Sequence, residues 1–177
     1  NPLDFFQVWL NLPQKSKFVE PHFTMMWDKN IPTHQLRDDG GREIVVRTIA
    51  GPLRGVPPAA PPPDSWASNT SSQLAIWTID LAPGAVWSLP AAASGVNRAL
   101  YIYGGDQTRV GQSVVSSGHR ATMRSDAPLR LEAGSQRSEI LLLEGRPIGE
   151  PIARHGPFVM NTHDEIRQAY ADYRRTG

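Results

Sequence analysis

Apolar and polar residues alternate over short stretches of the second half of the chain. Residues 74–81 show this most clearly, and the turn signal Pro83-Gly84 follows them. Further strands are predicted over residues 44–49, 98–103, 112–115, 121–123, 129–131 and 139–143. Short strands about ten residues apart, separated by Gly, Pro and Asp turns, are typical of an antiparallel sandwich or barrel. The pattern therefore predicts an all-β domain.

The last residues change to a helical period. Thr162 and Glu165 have the spacing of a capping box, in which the hydroxyl and the carboxylate each accept a backbone amide at the start of a helix. Apolar side chains then recur on one side of that helix, at Ile166, Ala169, Tyr170 and Tyr173. We predict a terminal helix of about three turns.

The first third of the chain shows a weaker pattern. Residues 5–12 alternate but carry apolar groups on both faces, which predicts a strand covered on both sides. Residues 14–43 are interrupted by Pro21 and Pro32 and are predicted to be a connector. Residues 55–72 are rich in Pro, Ala and Ser, which predicts an exposed loop of polyproline-II character. Pro58 and Pro61 match a P-x-x-P docking motif, but a stiff loop is the preferred interpretation.

Composition limits the function classes. The 177 residues suffice for one domain with a core, and the formal net charge of +1 gives no basic surface for nucleic acid. No apolar run reaches the ~18 residues of a membrane-spanning helix, and no signal peptide is visible. The absence of cysteine excludes disulfides and thiolate sites. We expect a soluble protein of the cytoplasm, or of the nucleus if the source is eukaryotic.

Two segments carry a resemblance to a known family. Residues 149–165, G-E-P-I-A-R-H-G-P-F-V-M-N-T-H-D-E, resemble the closing segment G-E-P-x-x-x-H-G-P-F-V-M-N-T-x-E-E-I of the pirins. Residues 7–13, Q-V-W-L-N-L-P, are similar to the pirin strand Q-L-W-V-N-L-P. Pirins are two-domain cupins whose iron ligands lie in the first barrel. The resemblance implies the C-terminal half of such a protein, an antiparallel cupin β-barrel of jelly-roll type with a short C-terminal α-helix.

The resemblance also implies a division of the chain. Residues 1–13 would be the last strand, or the junction, of an N-terminal cupin domain that this sequence does not contain. A connector over 14–43 would lead to the C-terminal cupin barrel over 44–160, with the Pro-rich loop 55–72 inserted in it. The helix would occupy residues 161–177.

Metal-binding cupins share the motif P-G-x5-H-x-H-x3,4-E-x6-G. Pro83-Gly84 and Gly104 supply its frame, and the three ligand positions fall on Pro90, Ala92 and Asn97. None of these offers the imidazole or carboxylate that a divalent first-row metal prefers. We therefore predict no metal, cofactor or catalytic residue in this chain, with iron expected in the N-terminal domain of the family.

The histidines suggest no other site. His34, His119 and His163 are predicted to be surface residues. His22 with Glu20 has an i, i+2 spacing that suits two ligands on one strand face, but a third ligand is lacking. His155, in the closing motif, is interpreted as a buried or capping residue, with a role in ligand binding as the alternative. Hydrolase, phosphate-loop and H-E-x-x-H motifs are absent. Four tryptophans are predicted to be core residues: Trp9, Trp27, Trp77 and Trp87.

Three functions remain open from the sequence. The chain is a metal-free scaffold or interaction half of an iron-binding bicupin that resembles a transcriptional co-regulator, a fragment of a metal-dependent quercetin (flavonol) 2,3-dioxygenase, or a small-molecule-binding cupin. The implied partner is the N-terminal pirin cupin domain, with a further protein partner or self-association through residues 5–12 as additional candidates. We expect residues 5–12 to pack first on the chain's own C-terminal region, since leaving large apolar side chains in water costs about 2 kcal/mol each. No membrane or direct nucleic-acid partner is expected.

Overall fold

A computed structural model describes residues 5–176. The strands of this part of the chain are β1 (Thr33–Arg37), β2 (Glu43–Ala50), β3 (Ala75–Leu81), β4 (Val86–Leu89), β5 (Asn97–Gly104), β6 (Gln107–Val110), β7 (Ser113–Ser116), β8 (His119–Met123), β9 (Leu129–Ala133), β10 (Ser138–Gly145), β11 (Ala153–His155) and β12 (Phe158–Met160). One α-helix, α1 (His163–Thr176), follows them. Short 3-10 helices lie at Gln14–Ser16, Asp28–Asn30, Trp66–Ser68 and Thr70–Ser72.

Two antiparallel sheets enclose the core. The larger has the strand order β1-β2-β3-β10-β5-β8 and the smaller β4-β9-β6-β7. Side chains of both sheets meet between them and are fully buried, among them Ile79, Leu100 and Leu142 from the first sheet and Leu89 and Leu131 from the second. This is the jelly-roll arrangement of a cupin, and it confirms the all-β prediction.

The alternation of the sequence is visible as alternate burial. Along β3 every second residue from Ala75 to Leu81 is buried, and the residues between them are half-buried on the outer face of the sheet. The register places Trp77 opposite Leu142 of β10, which in turn lies opposite Leu100 of β5. Residues of one phase on three neighbouring strands therefore form one inner face.

Residues 5–13 do not form the predicted strand. Within the described chain they belong to no β-ladder, and Phe5 and Trp9 are 73% and 64% exposed. The prediction that Trp9 and Trp27 are core residues was also wrong, whereas Trp77 and Trp87 are buried. Alternation reports which side chains share a face but not whether a neighbouring strand edge is there to bond the backbone.

Two other segments differ from the prediction. The connector contains β1, which pairs along its whole length with β2. The Pro-rich segment is partly ordered, because Ser65 and Asn69 accept the amides of Ala67 and Ser71 and so cap the two 3-10 helices there. The indole of Trp66 also donates to the Arg146 carbonyl at 3.1 Å and ties this loop to the end of β10.

The capping box is confirmed at α1. The amide of Glu165 donates to the Thr162 hydroxyl at 3.2 Å, and the Glu165 carboxylate accepts the amide of Thr162 at 2.9 Å. Ile166 and Ala169 are buried against the β11–β12 hairpin, which supplies Ala153 and Met160. No helix within residues 5–176 has the length and apolar character needed to cross a membrane.

Candidate functional site

The three cupin ligand positions do not converge on a site. Pro90 and Asn97 are exposed and Ala92 is half-buried. Asn97 points away from the core, because Arg98 is the residue of β5 in phase with the buried Leu100. Among residues 5–176 no three His, Cys, Asp or Glu side chains lie close enough together to hold a metal. That this chain binds no metal stays a prediction.

The histidines are scattered over the surface and one edge strand. His22 shares a hydrogen bond with the Thr24 hydroxyl at 2.8 Å, and His119 one with the Ser117 carbonyl at 3.2 Å. His163 is exposed at the start of α1. His34 is half-buried on β1, with a buried Nε2 that has no partner in the described chain, so its surface assignment was wrong.

His155 is not the buried residue that the motif suggested. It is exposed at the end of β11, with its ring edge-on to Tyr170 of α1 at 5.8 Å between centroids. Tyr170 also contacts Phe158, so that an aromatic cluster joins the β11–β12 hairpin to the helix. The interpretation of His155 as a buried residue was therefore wrong.

The two segments that carry the pirin resemblance are held together by a carboxylate network. The backbone N–H of Gln14 donates to the Glu150 carboxylate at 2.7 Å, and the side-chain amide of Gln14 donates to the Glu165 carboxylate at 2.8 Å. Asn161 donates to the same Glu150 oxygen at 2.9 Å, and Lys17 Nζ bridges Asn11 and the Val159 carbonyl. Polar contacts of Asn11, Gln14 and Lys17 thus connect the N-terminal segment to the C-terminal region. The expected burial of its large apolar side chains was wrong, because Phe5 and Trp9 stay exposed.

Two groups of this network have shifted pKa values. The pKa of Glu165 is lowered below its usual value by the hydrogen bond from the Gln14 side chain. Hydrogen bonds from the backbone amides of Asn161 and Thr162 act in the same direction. Burial lowers the pKa of Lys17, although the charges of Glu150 and Glu165 oppose the change. The lowered pKa of Glu165 favours its charged form, which strengthens its hydrogen bonds with Gln14 and the start of α1.

A buried ion pair closes one end of the core. Arg98 of β5 and Glu144 of β10 lie opposite each other in the ladder, with side chains only 2% and 9% exposed. Arg98 Nε donates to Glu144 at 2.5 Å, and Nη2 donates to the Pro90 carbonyl at 2.9 Å. Burial raises the pKa of Glu144, and the hydrogen bond from Arg98 opposes that shift. A charged pair thus occupies the end of the barrel near the cupin ligand positions.

Two depressions meet at this pair. One, of 590 Å³, lies between the end of the barrel and the Pro-rich segment, and Leu53, Trp77 and Ala92 are among its walls. The other, of 780 Å³, runs along the outer face of the larger sheet under residues 8–11. Phe6, just before these residues, packs edge-on against Tyr103 of β5, at 4.8 Å between ring centroids.

Sequence reasoning did not find Arg98 or Glu144. Part of the signal was present, because Arg98 is in phase with Leu100 and Ile102 in a strand that had been predicted. Glu144 is in phase with Ile140 and Leu142 but lies one residue beyond the strand predicted over residues 139–143. When two neighbouring strands carry opposite charges among the side chains that face the core, the charged residues are expected to form a buried pair. The pairing of β5 with β10, which are far apart in sequence, was the missing information.

Comparisons with known proteins agree with this fold. The family model of the pirin C-terminal cupin domain matches residues 76–177. The chain is 34% identical over 172 residues to a putative quercetin 2,3-dioxygenase of Pseudomonas aeruginosa, with 97% of this chain and 55% of that protein covered. It is 30% identical over 178 residues to human pirin, with 98% and 56% covered.

A solved structure also has the fold of this chain. The crystal structure of a quercetin 2,3-dioxygenase from Acinetobacter baumannii superposes with a TM-score of 0.78 at 27% identity, over 94% of this chain and 54% of that one. The chain thus spans about half the length of the relatives it matches. From the family model, the two motifs and the shared fold, we conclude that this chain belongs to the pirin family and contains its C-terminal cupin domain.

Proposed function

We propose that this chain is the metal-free interaction half of a two-domain pirin-like protein of the co-regulator type. The observation that carries the proposal is the position of its exposed apolar side chains. Of the thirteen large hydrophobic residues that are exposed within residues 5–176, nine lie in residues 5–27. They include Phe5, Trp9, Phe18, Phe23 and Trp27, all more than half exposed. Apolar surface concentrated in this way marks a site of protein contact.

The proposed occupant of this surface is a metal-binding cupin domain. The relatives that the chain matches are nearly twice its length, which leaves room for a second domain of similar size. Residues 7–13 belong to this surface and also carry the pirin resemblance, and we propose on that ground that they lie near the junction of two barrels. The carboxylate network links Gln14, in the middle of residues 5–27, to Glu150 and to Glu165 of α1.

A second candidate is a role in a quercetin 2,3-dioxygenase, because relatives from Pseudomonas aeruginosa and Acinetobacter baumannii have that name. On this proposal the other half of the protein provides the metal. The present chain supports the other barrel through the same apolar surface. The predicted cytoplasmic or nuclear location stays a prediction for either candidate.

Binding of a separately expressed cupin half tests the proposal. The partner is the domain encoded upstream of Asn1 in the same reading frame or, where none is encoded there, the N-terminal half of the Pseudomonas relative. Sedimentation velocity should show a 1:1 complex with the chain. Trp9→Asp should weaken it at least about tenfold, since central aromatic residues typically contribute 2 kcal/mol or more.

Val114→Asp is the matched control. Val114 is 48% exposed on β7 of the smaller sheet, outside the proposed surface, and the control variant should bind like the unmodified chain. Absence of a complex with either partner would contradict the proposal. Equal loss of binding in Trp9→Asp and Val114→Asp would contradict the assignment of the surface.

A further inference from the structure

The guanidinium of Arg98 has a nitrogen that nothing in the described chain satisfies. Nε and Nη2 are used by Glu144 and by the Pro90 carbonyl. Nη1 is buried and has no acceptor within residues 5–176. Leaving a buried donor of a charged group unpaired is costly, so this position favours an additional hydrogen-bond acceptor.

The Arg98 side chain also lines a cleft. Arg98 and Glu144 both line the 590 Å³ depression at the end of the barrel, and the remaining walls include Leu53, Trp77 and Ala92. Leu53 and Trp77 are themselves buried and belong to the core. The indole of Trp77 donates to the Gly51 carbonyl at 3.2 Å, which fixes the plane of its ring at the base of the site. An apolar concavity with a few oriented polar groups is the usual form of a small-molecule site.

We propose that this cleft binds a small, uncharged aromatic molecule through a carbonyl oxygen that accepts from Arg98 Nη1. None of residues 5–27 lines this cleft. The ligand would enter between the end of the barrel and the Pro-rich segment 55–72, whose Pro58 and Pro61 also line the cleft.

Charge balance favours a neutral ligand. Glu144 already neutralises Arg98. A ligand carboxylate would therefore add a second negative charge in a place where burial already disfavours the charge of Glu144. A carbonyl oxygen accepts the free N–H without adding charge. The flat indole and the prolines provide apolar surfaces for a ring.

The test compares two-ring ligands that carry a carbonyl, no acceptor, or a carboxylate. The probes are 1-tetralone, tetralin, which has the same two rings without the carbonyl, and 1-naphthoate, which has a carboxylate. Each is titrated into the 15N-labelled chain up to its solubility limit. The indole signal of Trp77 is followed among those of the five tryptophans and is assigned from the spectrum of Trp77→Phe.

The proposal predicts a saturable shift with 1-tetralone and affinity for tetralin lower by at least about tenfold, the value of a hydrogen bond to a charged donor. Binding of 1-naphthoate should be weaker than that of 1-tetralone. No saturable shift, equal shifts from 1-tetralone and tetralin, or tightest binding of 1-naphthoate would each overturn it. A crystal structure with an ordered water on Nη1 that 1-tetralone does not displace would do the same.

A pair of variants locates the site. Ala92 lines the cleft and is half-buried, so Ala92→Leu should fill part of the space and abolish the shift. Ala93 is its exposed neighbour outside the lining, and Ala93→Leu should bind like the unmodified chain. Binding retained in Ala92→Leu would place the ligand elsewhere and overturn the assignment. If Ala92→Leu loses its dispersed spectrum, the ligand comparison on the unmodified chain decides alone.

Discussion

Single substitutions in the ion pair between Arg98 and Glu144 should lower the stability of the chain, whereas the double substitution should change it little. Arg98→Met leaves the Glu144 carboxylate buried without its cation, and Glu144→Leu leaves the guanidinium without its anion. Removing one partner of a buried pair costs about 3–5 kcal/mol, because the remaining charge is uncompensated. Replacing both by apolar residues of similar volume is often neutral or stabilising.

The structure sets the expected size of each effect. Both side chains are less than a tenth exposed, and the inner-face neighbours Leu100 and Leu142 are fully buried, so water cannot easily solvate the remaining charge. Each single variant should unfold about 6–20 °C below the unmodified chain, at about 2–4 °C per kcal/mol for a domain of this size. The double variant should unfold within about 4 °C of it.

Urea denaturation of the four proteins of the cycle measures the coupling free energy. We expect it to exceed about 3 kcal/mol for the buried pair. Arg130 and Glu132 form a matched control, since their side chains are 59% and 37% exposed at 3.1 Å, and their coupling should lie below about 1 kcal/mol. Equal coupling in the two pairs, or single variants of Arg98 and Glu144 as stable as the unmodified chain, would refute the assignment of a buried pair.

Three further predictions concern other parts of the chain. After chelation, the purified chain should hold far less than one iron or zinc ion per molecule; one retained iron per chain would contradict this. The chain should also consume no oxygen with quercetin and ferrous iron, because flavonol dioxygenation needs a bound metal with open coordination positions. Hydrogen bonds from the Ser135 hydroxyl and nearby amides lower the pKa of Asp106 to about 2, so its stabilising effect should be lost as pH falls from 3.8 towards 2. Asp106→Asn should lower the melting temperature at neutral pH and approach the unmodified chain near pH 2; parallel pH profiles would count against the shift. Thr162→Ala should cost about 1 kcal/mol in urea denaturation by removing the α1 cap, whereas the exposed helical Gln168→Ala should cost less.

Periodicity predicted most of the larger sheet but not its edge or the segment next to it. β3 and β10 were predictable because every second side chain enters one core. β1, T-H-Q-L-R, was not predicted because Leu36 is its single aliphatic residue. This edge strand is ordered by its backbone pairing with β2. Residues 5–12 have the stronger alternation and yet form no strand. Local pattern thus reports which side chains share a face, whereas burial and strand pairing depend on which edges the fold brings together.

The candidate site was less predictable than the fold, for the same reason. The cupin motif spans the end of β4 and the start of β5, and from it we predicted no site in this chain. The spacing placed the third ligand position at Asn97, while the structure turns Arg98 inward. Its partner Glu144 is 46 residues away in sequence, and only the β5–β10 ladder brings the two together. A buried pair of this kind depends on sheet order, which residue spacing within one segment does not report.

The central claim is that residues 5–27 form the surface for a cupin partner. Hydrogen exchange tests this claim most directly. Amide exchange is followed by mass spectrometry in the isolated chain and in its complex with the separately expressed cupin half. The account predicts slower exchange on binding in peptides that cover residues 5–27, and no change in β7, Ser113–Ser116, on the smaller sheet. Unchanged exchange in residues 5–27 within a formed complex, or protection centred on β7 instead, would contradict it.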